Sequence, residues 1–197
     1  MHLDMCTMAL HFKHEVLYVT SAVLIKLTAR FVILVAFWGN STESVKVFRP
    51  QKRVIRLMTG NNVRTSCRPL FPRLGIMTLS SQYIFSRMRF LSRNLQLYTF
   101  NFTIHNHNTR YRIQLHRPHT ALTLYQKGLY YESVRIYNKL PYNIAELILQ
   151  NKGFLMTLKK YLLEKAYYSV EEYMNDLSDR WDVDWLALGI SVLLNIF

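Results

Sequence analysis

The spacing of hydrophobic and polar residues predicts a chain that folds mainly into α-helices. The clearest pattern runs from Leu79 to Leu97, where apolar residues recur every three or four positions on one helical face: Ile84, Met88, Leu91 and Leu95. The opposite face is polar and carries Gln82, Ser86, Arg89, Arg93 and Gln96. Arg87 lies beside the apolar face, so its charged group must reach solvent or find a partner.

A second helix is predicted over residues 43–58, after a turn at residues 39–42. Four cations fall on one face of this helix, at positions i, i+3, i+4 and i+7: Arg49, Lys52, Arg53 and Arg56. Pro50 conflicts with the first turns, because a proline inside a helix removes a hydrogen bond and clashes with the preceding turn. The regular helix is therefore expected to begin near Pro50, since proline is tolerated at the first helical position.

The rest of the chain predicts shorter elements. Helices are expected over residues 66–74, 126–138, 143–150 and 152–168, and then a short helix capped by Ser169, with Glu171 and Glu172 in its first turn. Apolar and polar residues alternate from Tyr111 to Leu115, which is typical of a short strand. The predicted fold class is mainly α, with several short-to-medium helices, one small β element, and loose N-terminal and C-terminal ends.

The two ends of the chain differ from its centre, so the sequence divides into three parts. Residues 1–38 form an apolar N-terminal segment of uncertain fold, residues 39–168 a basic helical region, and residues 169–197 an acidic tail with an apolar end. Residues 16–38 are long enough to span a bilayer, but Lys26 and Arg30 near their middle each cost roughly 2.5–3.5 kcal/mol to insert. We expect this stretch not to cross a membrane, and membrane anchoring stays open as an alternative.

The positive charge is concentrated in the centre of the chain. The net charge is +13, from 25 Lys and Arg against 12 Asp and Glu. Residues 44–131 hold 15 of the basic residues and no carboxylate side chain, which leaves 10 basic and 12 acidic residues for the rest. Such a stretch indicates a polyanionic partner, either nucleic acid or an anionic membrane surface. Nucleic acid is favoured, because arginine dominates the stretch and pairs with phosphate through two hydrogen bonds at once.

The cations expected to contact RNA or DNA are those that share a helical face, because one phosphate backbone can then meet several of them. They are Arg49, Lys52, Arg53, Arg56, Arg89 and Arg93, together with Arg110 and Arg112 around the predicted strand. Aromatic residues lie among these cations, which suits single-stranded nucleic acid, although aromatic side chains favour burial in a core. These aromatic residues are Tyr83, Phe85, Phe90, Tyr98, Tyr111, Tyr125, Tyr130 and Tyr131.

The same stretch argues against catalysis and against a bound metal or cofactor. Polymerases hold two Mg²⁺ ions with clustered carboxylates, and residues 44–131 contain none. Four histidines have a spacing that could ligate zinc, but they lie in a cationic region without an acidic residue: His105, His107, His116 and His119. The two cysteines, Cys6 and Cys67, make no disulfide framework. We therefore expect reduced thiols in an intracellular protein of the nucleus or cytoplasm.

Nine short stretches in residues 37–175 carry a family resemblance through their order and spacing. They are residues 37–41 (FWGNS), 51–60 (QKRVIRLMTG), 66–68 (SCR), 74–79 (LGIMTL), 82–85 (QYIF), 108–111 (NTRY), 125–128 (YQKG), 137–141 (YNKLP) and 154–163 (FLMTLKKYLL). Together they resemble the C-terminal region of the reverse transcriptase of non-LTR retrotransposons, of the Jockey-like, insect type. The resemblance implies a mainly helical region downstream of the polymerase thumb that helps to hold template RNA or target DNA.

The sequence departs from that family in its catalytic parts. It contains neither the Tyr-x-Asp-Asp block nor the endonuclease domain. The resemblance therefore implies a truncated or decayed fragment of an RNA-directed DNA polymerase from a transposable element, without enzymatic activity and with nucleic-acid binding as its remaining function. Two alternatives stay open: a small membrane-associated protein anchored by residues 16–38, and a translated transposon fragment with no selected function.

Overall fold

The computed structural model of the chain describes residues 40–41, 43–104, 111–126, 128–150 and 153–176. The apolar segment 1–38, the tail after residue 176 and residues 105–110, which include Arg110, lie outside these residues. The expectations of loose chain ends and of a segment at 16–38 that does not cross a membrane concern those parts, so they stay predictions.

The described residues are mainly helical, which confirms the predicted fold class. The helices, in chain order, are α1 (Ser44–Thr59), α2 (Leu70–Leu74), α3 (Leu79–Arg93), α4 (Asn101–Ile104), α5 (Thr123–Gln126), α6 (Leu129–Tyr137), α7 (Tyr142–Glu146), α8 (Phe154–Lys165) and α9 (Val170–Asn175). A short 3-10 helix at Leu95–Leu97 follows α3. The helices predicted from hydrophobic spacing are therefore present, with shifted ends.

The small β element is an isolated bridge, so the strand predicted for residues 111–115 is wrong. Leu115 pairs with Phe100 in an antiparallel bridge, and the residues before it form a turn. The Gln114 N–H donates to the Tyr111 carbonyl (3.1 Å), which bends the chain before Leu115. On the other edge of Leu115, the Asn138 amide accepts its N–H and donates to its carbonyl, both at 2.8 Å. A side chain thus takes the place that a neighbouring strand would need.

Helix α3 lies at the centre of the main hydrophobic core, where α6, α8 and α9 pack against it. Its residues Ile84, Met88 and Leu91 are fully buried, as the sequence pattern predicts. Ser86, which the pattern assigned to the polar face, is also buried. Its hydroxyl donates to the Gln82 carbonyl one turn earlier (2.8 Å), so its donor is satisfied inside the core.

Hydroxyl groups at the start of α3 bind the end of α8. Thr78 is the N-cap residue of α3: its hydroxyl oxygen accepts from the Ser81 N–H (3.2 Å), and the same hydroxyl donates to the Tyr167 carbonyl. Ser80 donates to the Tyr168 carbonyl (2.9 Å) and Ser81 to the Leu162 carbonyl (3.3 Å). Carbonyls at a helix end lack partners within the helix, so these contacts fix the segment that follows α8.

A second, smaller hydrophobic cluster holds α1 against the rest of the molecule. Phe48 and Ile55 are the buried residues of α1. They pack with residues from α2, from the loop before it and from the chain after α8: Cys67, Leu70, Phe71 and Ala166. This packing directs one face of α1 inward and leaves its cations on the outside.

Pro50 lies inside α1, so the expected start of the helix near Pro50 is wrong. The helix begins at Ser44 and ends at Thr59, where Gly60 adopts the left-handed conformation (φ 65°) that closes many helices. Pro50 cannot donate to the Lys46 carbonyl, but both residues are exposed, so water can satisfy that carbonyl. An exposed proline therefore leaves the helix intact at the expense of one hydrogen bond.

Helix α9 belongs to the folded core although its residues were placed with the acidic tail. Ser169 caps it as predicted, because its hydroxyl oxygen accepts from the Glu172 N–H (3.0 Å). Tyr173 is buried, and its hydroxyl donates to the Ile136 carbonyl of α6 (2.9 Å). Residues 169–176 thus pack onto the same core as the basic region.

Candidate nucleic-acid interface

Four predicted contact residues form one surface, the α1 cationic face, made of Arg49, Lys52, Arg53 and Arg56. Phe48 and Ile55 pack into the second cluster on the adjacent side of α1. Arg49 and Arg53 therefore project outward, while Lys52 and Arg56 lie along the edge of the cluster. Arg49 and Arg53 are exposed, and Lys52 and Arg56 are half-buried. The structure therefore brings together the four cations that the helical spacing predicted.

The two half-buried cations of this face are held by contacts with the protein. The Lys52 ammonium lies 4.7 Å from the ring centroid of Phe48 and 5.4 Å from that of Tyr168. Such cation–π contacts restrict a flexible side chain at modest energy. The Arg56 Nε donates to the Thr65 carbonyl (2.9 Å). Both side chains thus lose less conformational entropy when they bind an anion than free surface cations would.

Arg68 lies next to this face, although the sequence did not single it out. Its guanidinium carbon is 4.5 Å from the Tyr168 ring centroid, so the same ring contacts Arg68 and Lys52. Its Nη1 also donates to Glu172 Oε1 at 2.6 Å. This hydrogen bond is the main cause that raises the pKa of Arg68 above its ordinary value. Tyr168, which sequence reasoning missed altogether, therefore gathers two cations beside α1.

The other predicted contacts do not join this surface. Gln51 of α1 binds the beginning of α3 through the Met77 carbonyl (3.0 Å) and the Leu79 N–H (3.2 Å). Arg89 and Arg93 are exposed near the opposite end of α3. Arg93 is about 21 Å further along the helix, at ~1.5 Å per residue. These two arginines therefore form a separate site at the far end of α3.

Arg112 lies in a third place, and Arg110 lies outside the described residues. Arg112 is exposed in the turn before Leu115, with its guanidinium carbon 6.0 Å from the Phe102 ring centroid. The seven described cations of the eight expected to act together are thus divided between α1, the end of α3 and this turn.

Most of the aromatic residues among the cations belong to the core. Tyr83, Tyr98 and Tyr131 are buried, and Phe85, Phe90 and Tyr130 are half-buried. Tyr111 and Tyr125 are exposed, but they are on the chain between α4 and α6, not on α1. The α1 cationic face therefore presents cations, with no fully exposed ring among its described neighbours Phe48 and Tyr168.

Arg87, which had to reach solvent or find a partner, lies in the core. Its side chain is 4 % exposed, and its guanidinium carbon is 4.8 Å from the Tyr83 ring centroid. Within the described residues its Nε and Nη1 have no hydrogen-bond partner, and neither has the buried Oε2 of Glu132. Arg87 is thus a structural feature of the core and not part of the interface.

The described residues offer little for other chemistry. They contain no group of three or more His, Cys, Asp and Glu side chains that could hold a metal ion, while His105 and His107 lie outside them. A cavity of about 270 Å³ has no ionisable side chain in its lining, which is Ser92, Ile148, Gly153, Phe154, Leu155 and Met156. In the described part of the chain, no helix has the length and hydropathy needed to cross a bilayer.

Comparison with protein-family models, with curated protein sequences and with solved structures finds no match for this chain.

Proposed function

We propose that this chain binds RNA or DNA through phosphate contacts and has no catalytic activity. The observation that carries the proposal is the α1 cationic face, where four cations project from one side of a helix fixed by its own hydrophobic cluster. Phosphate contacts supply affinity and register but do not read sequence. Binding is therefore weakly sequence-specific. On this proposal it takes place in the nucleus or cytoplasm, where thiols stay reduced.

The resemblance to non-LTR retrotransposon reverse transcriptases supports the same proposal and adds an origin. The stretch of ten residues at 51–60 forms most of α1, so one of the two longest runs of family-like residues also carries Lys52, Arg53 and Arg56. On this proposal the chain is a remnant of the region that holds template RNA or target DNA. The membrane-associated alternative rests on residues 16–38, which lie outside the described residues.

The test is fluorescence anisotropy of the purified chain with short RNA and DNA at several salt concentrations. We expect affinity to fall steeply with salt, because each neutralised phosphate releases counterions. Replacing Arg49, Lys52, Arg53 and Arg56 by Gln should weaken binding to all sequences alike. It should also flatten the plot of log affinity against log salt by up to about 0.7–0.9 slope units per lost contact.

A matched pair of double variants separates a specific surface from net charge. Arg49→Gln/Arg53→Gln removes two exposed cations from the α1 cationic face, and Lys159→Gln/Lys160→Gln removes two exposed cations from α8. The first pair should lower affinity several-fold more than the second. Equal effects would mean that the chain attracts nucleic acid only through its overall charge. Binding to anionic lipid vesicles but not to either oligonucleotide would favour the membrane-associated alternative.

A further inference from the structure

The contact between Arg68 and Glu172 joins the edge of the α1 cationic face to the acidic helix α9. The guanidinium donates to the carboxylate at 2.6 Å, and the two side chains are 46 % and 34 % exposed. The other carboxylate oxygen of Glu172 accepts from the Tyr168 N–H at 2.7 Å. The carboxylate is thus fixed by a backbone bond beside the ring that carries Arg68 and Lys52.

Glu172 is charged in this position. Burial by itself raises the pKa of its carboxyl, but the hydrogen bonds from Arg68 and from the Tyr168 N–H outweigh burial, so the pKa lies below its ordinary value. A carboxylate and a phosphate offer a guanidinium the same kind of oxygen acceptors. Glu172 therefore occupies Arg68 in the way that a phosphate group would.

We propose that Arg68 binds phosphate together with the four cations of the α1 cationic face, and that the Glu172 carboxylate competes with phosphate for Arg68. This inference rests on the proposed function. Arg68 and Lys52 both lie within 5.5 Å of the Tyr168 ring centroid, so one bound strand can contact both. Arg68 is nearly half exposed, which leaves its guanidinium accessible to a phosphate from solvent.

The competition is weak enough for nucleic acid to overcome. Exposed ion pairs usually change an equilibrium by no more than about fivefold. Glu172 therefore lowers the affinity for nucleic acid by about two- to fivefold without closing the site. Removing the Glu172 carboxylate should change the affinity only through Arg68. The four cations of the α1 cationic face form no ion pair with Glu172 among the described contacts.

The experiment compares Glu172→Gln with Glu171→Gln in the anisotropy assay at low and physiological salt. Both variants remove one negative charge from α9, but Glu171 is exposed and Glu172 contacts Arg68. We expect Glu172→Gln to raise the affinity about two- to fivefold and Glu171→Gln to change it much less. Gln keeps an oxygen that can accept from the Tyr168 N–H, so α9 should stay docked. Near-ultraviolet circular dichroism checks this.

A double-mutant cycle with Arg68→Gln completes the test. Arg68→Gln alone should weaken binding, and Glu172→Gln should then have no further effect. If Glu172→Gln disturbs α9, Glu172→Asp offers a second route, because its shorter side chain withdraws the carboxylate from Arg68. Equal gains from Glu171→Gln and Glu172→Gln, or a gain that persists without Arg68, would overturn the competition. If the variants of the α1 cationic face bind nucleic acid as tightly as the original chain, the proposed function itself fails. This outcome is distinct from a failure of the competition between Glu172 and phosphate.

Discussion

At the scale of single residues, Arg87 of α3 is a cation buried inside the protein. The helical pattern placed it beside the apolar face of α3 and required a route to solvent or a partner. The structure buries the guanidinium against the Tyr83 ring, and among the described residues its Nε and Nη1 make no hydrogen bond. The ring recovers some electrostatic energy, but a buried cation with two unpaired nitrogen atoms remains costly.

We predict that Arg87→Met makes the protein more stable. The unbranched methionine side chain can follow the aliphatic part of the arginine, although it is smaller by three heavy atoms, and it places no charge in the core. Each unsatisfied buried donor that is removed saves about 1–3 kcal/mol. The free energy of unfolding should therefore rise by about 1–3 kcal/mol, measured by urea denaturation. Arg89→Met is the control, since Arg89 is exposed two residues further along the same helix. A loss of stability in Arg87→Met would show that the guanidinium has a partner, such as a bound water that links it to Glu132.

The contact between Arg68, Tyr168 and Glu172 could not be predicted from sequence. Arg68 and Glu172 are 104 positions apart, and nothing in the local pattern of either segment indicates the other. By contrast, Arg49, Lys52, Arg53 and Arg56 lie within two turns of one helix, where spacing alone decides which side chains are neighbours. Residue-scale predictions therefore succeeded where the contact is local and failed where it depends on packing.

At the scale of elements, hydrophobic spacing predicted that helices form but not where they begin and end. Helix α1 extends through Pro50, because its other hydrogen bonds and the burial of Phe48 and Ile55 outweigh one missing bond. The strand predicted at residues 111–115 does not form, because packing with other parts of the chain decides against it. Alternation favours a strand only if a neighbouring strand pairs with it, and here the Asn138 side chain binds the N–H and the carbonyl of Leu115 instead.

Pro50→Ala should stabilise α1. Alanine restores a donor for the Lys46 carbonyl and removes the clash of the proline ring, and proline is about 3 kcal/mol less favourable than alanine inside a helix. The greater freedom of the unfolded chain offsets about 0.4–1 kcal/mol of this gain. We expect the free energy of unfolding to rise by about 2–2.6 kcal/mol, followed by far-ultraviolet circular dichroism in urea.

Pro72→Ala provides the control for this prediction. Pro72 is exposed and is the third residue of α2, where a backbone N–H has no partner within the helix anyway. The substitution should leave stability nearly unchanged. An equal gain in both variants would attribute the effect to something other than the interior position of Pro50.

At the scale of the whole molecule, the sequence shows where the positive charge is concentrated, but not which acidic residues pair with it in the fold. The carboxylate-free stretch 44–131 supplies α1 and α3. One acidic residue of α9 returns to this stretch, since Glu172 pairs with Arg68. Asp176 pairs instead with Lys165 of α8, at 3.5 Å. These ion pairs leave the net charge of +13 unchanged, so the excess cations still repel one another in the folded chain.

This repulsion predicts that salt stabilises the fold while it weakens the proposed binding. Raising sodium chloride from about 0.05 M to 0.5 M shortens the screening length from more than ~10 Å to less than ~8 Å, so repulsion among the cations falls. We expect Tm to rise by about 2–4 °C, which corresponds to about 1 kcal/mol for a chain of this size. Chloride is used because sulfate would also strengthen hydrophobic burial.

The variant with Gln at residues 49, 52, 53 and 56 supplies the internal control for this salt effect, because it lowers the net charge from +13 to +9. It should be more stable than the original chain at low salt and should gain less from added chloride. A fall in Tm with salt would mean that ion pairs such as Arg68–Glu172 outweigh the repulsion. In that case the α1 cationic face would carry no excess positive potential to attract a phosphate backbone, and the proposed interface would lose its physical basis.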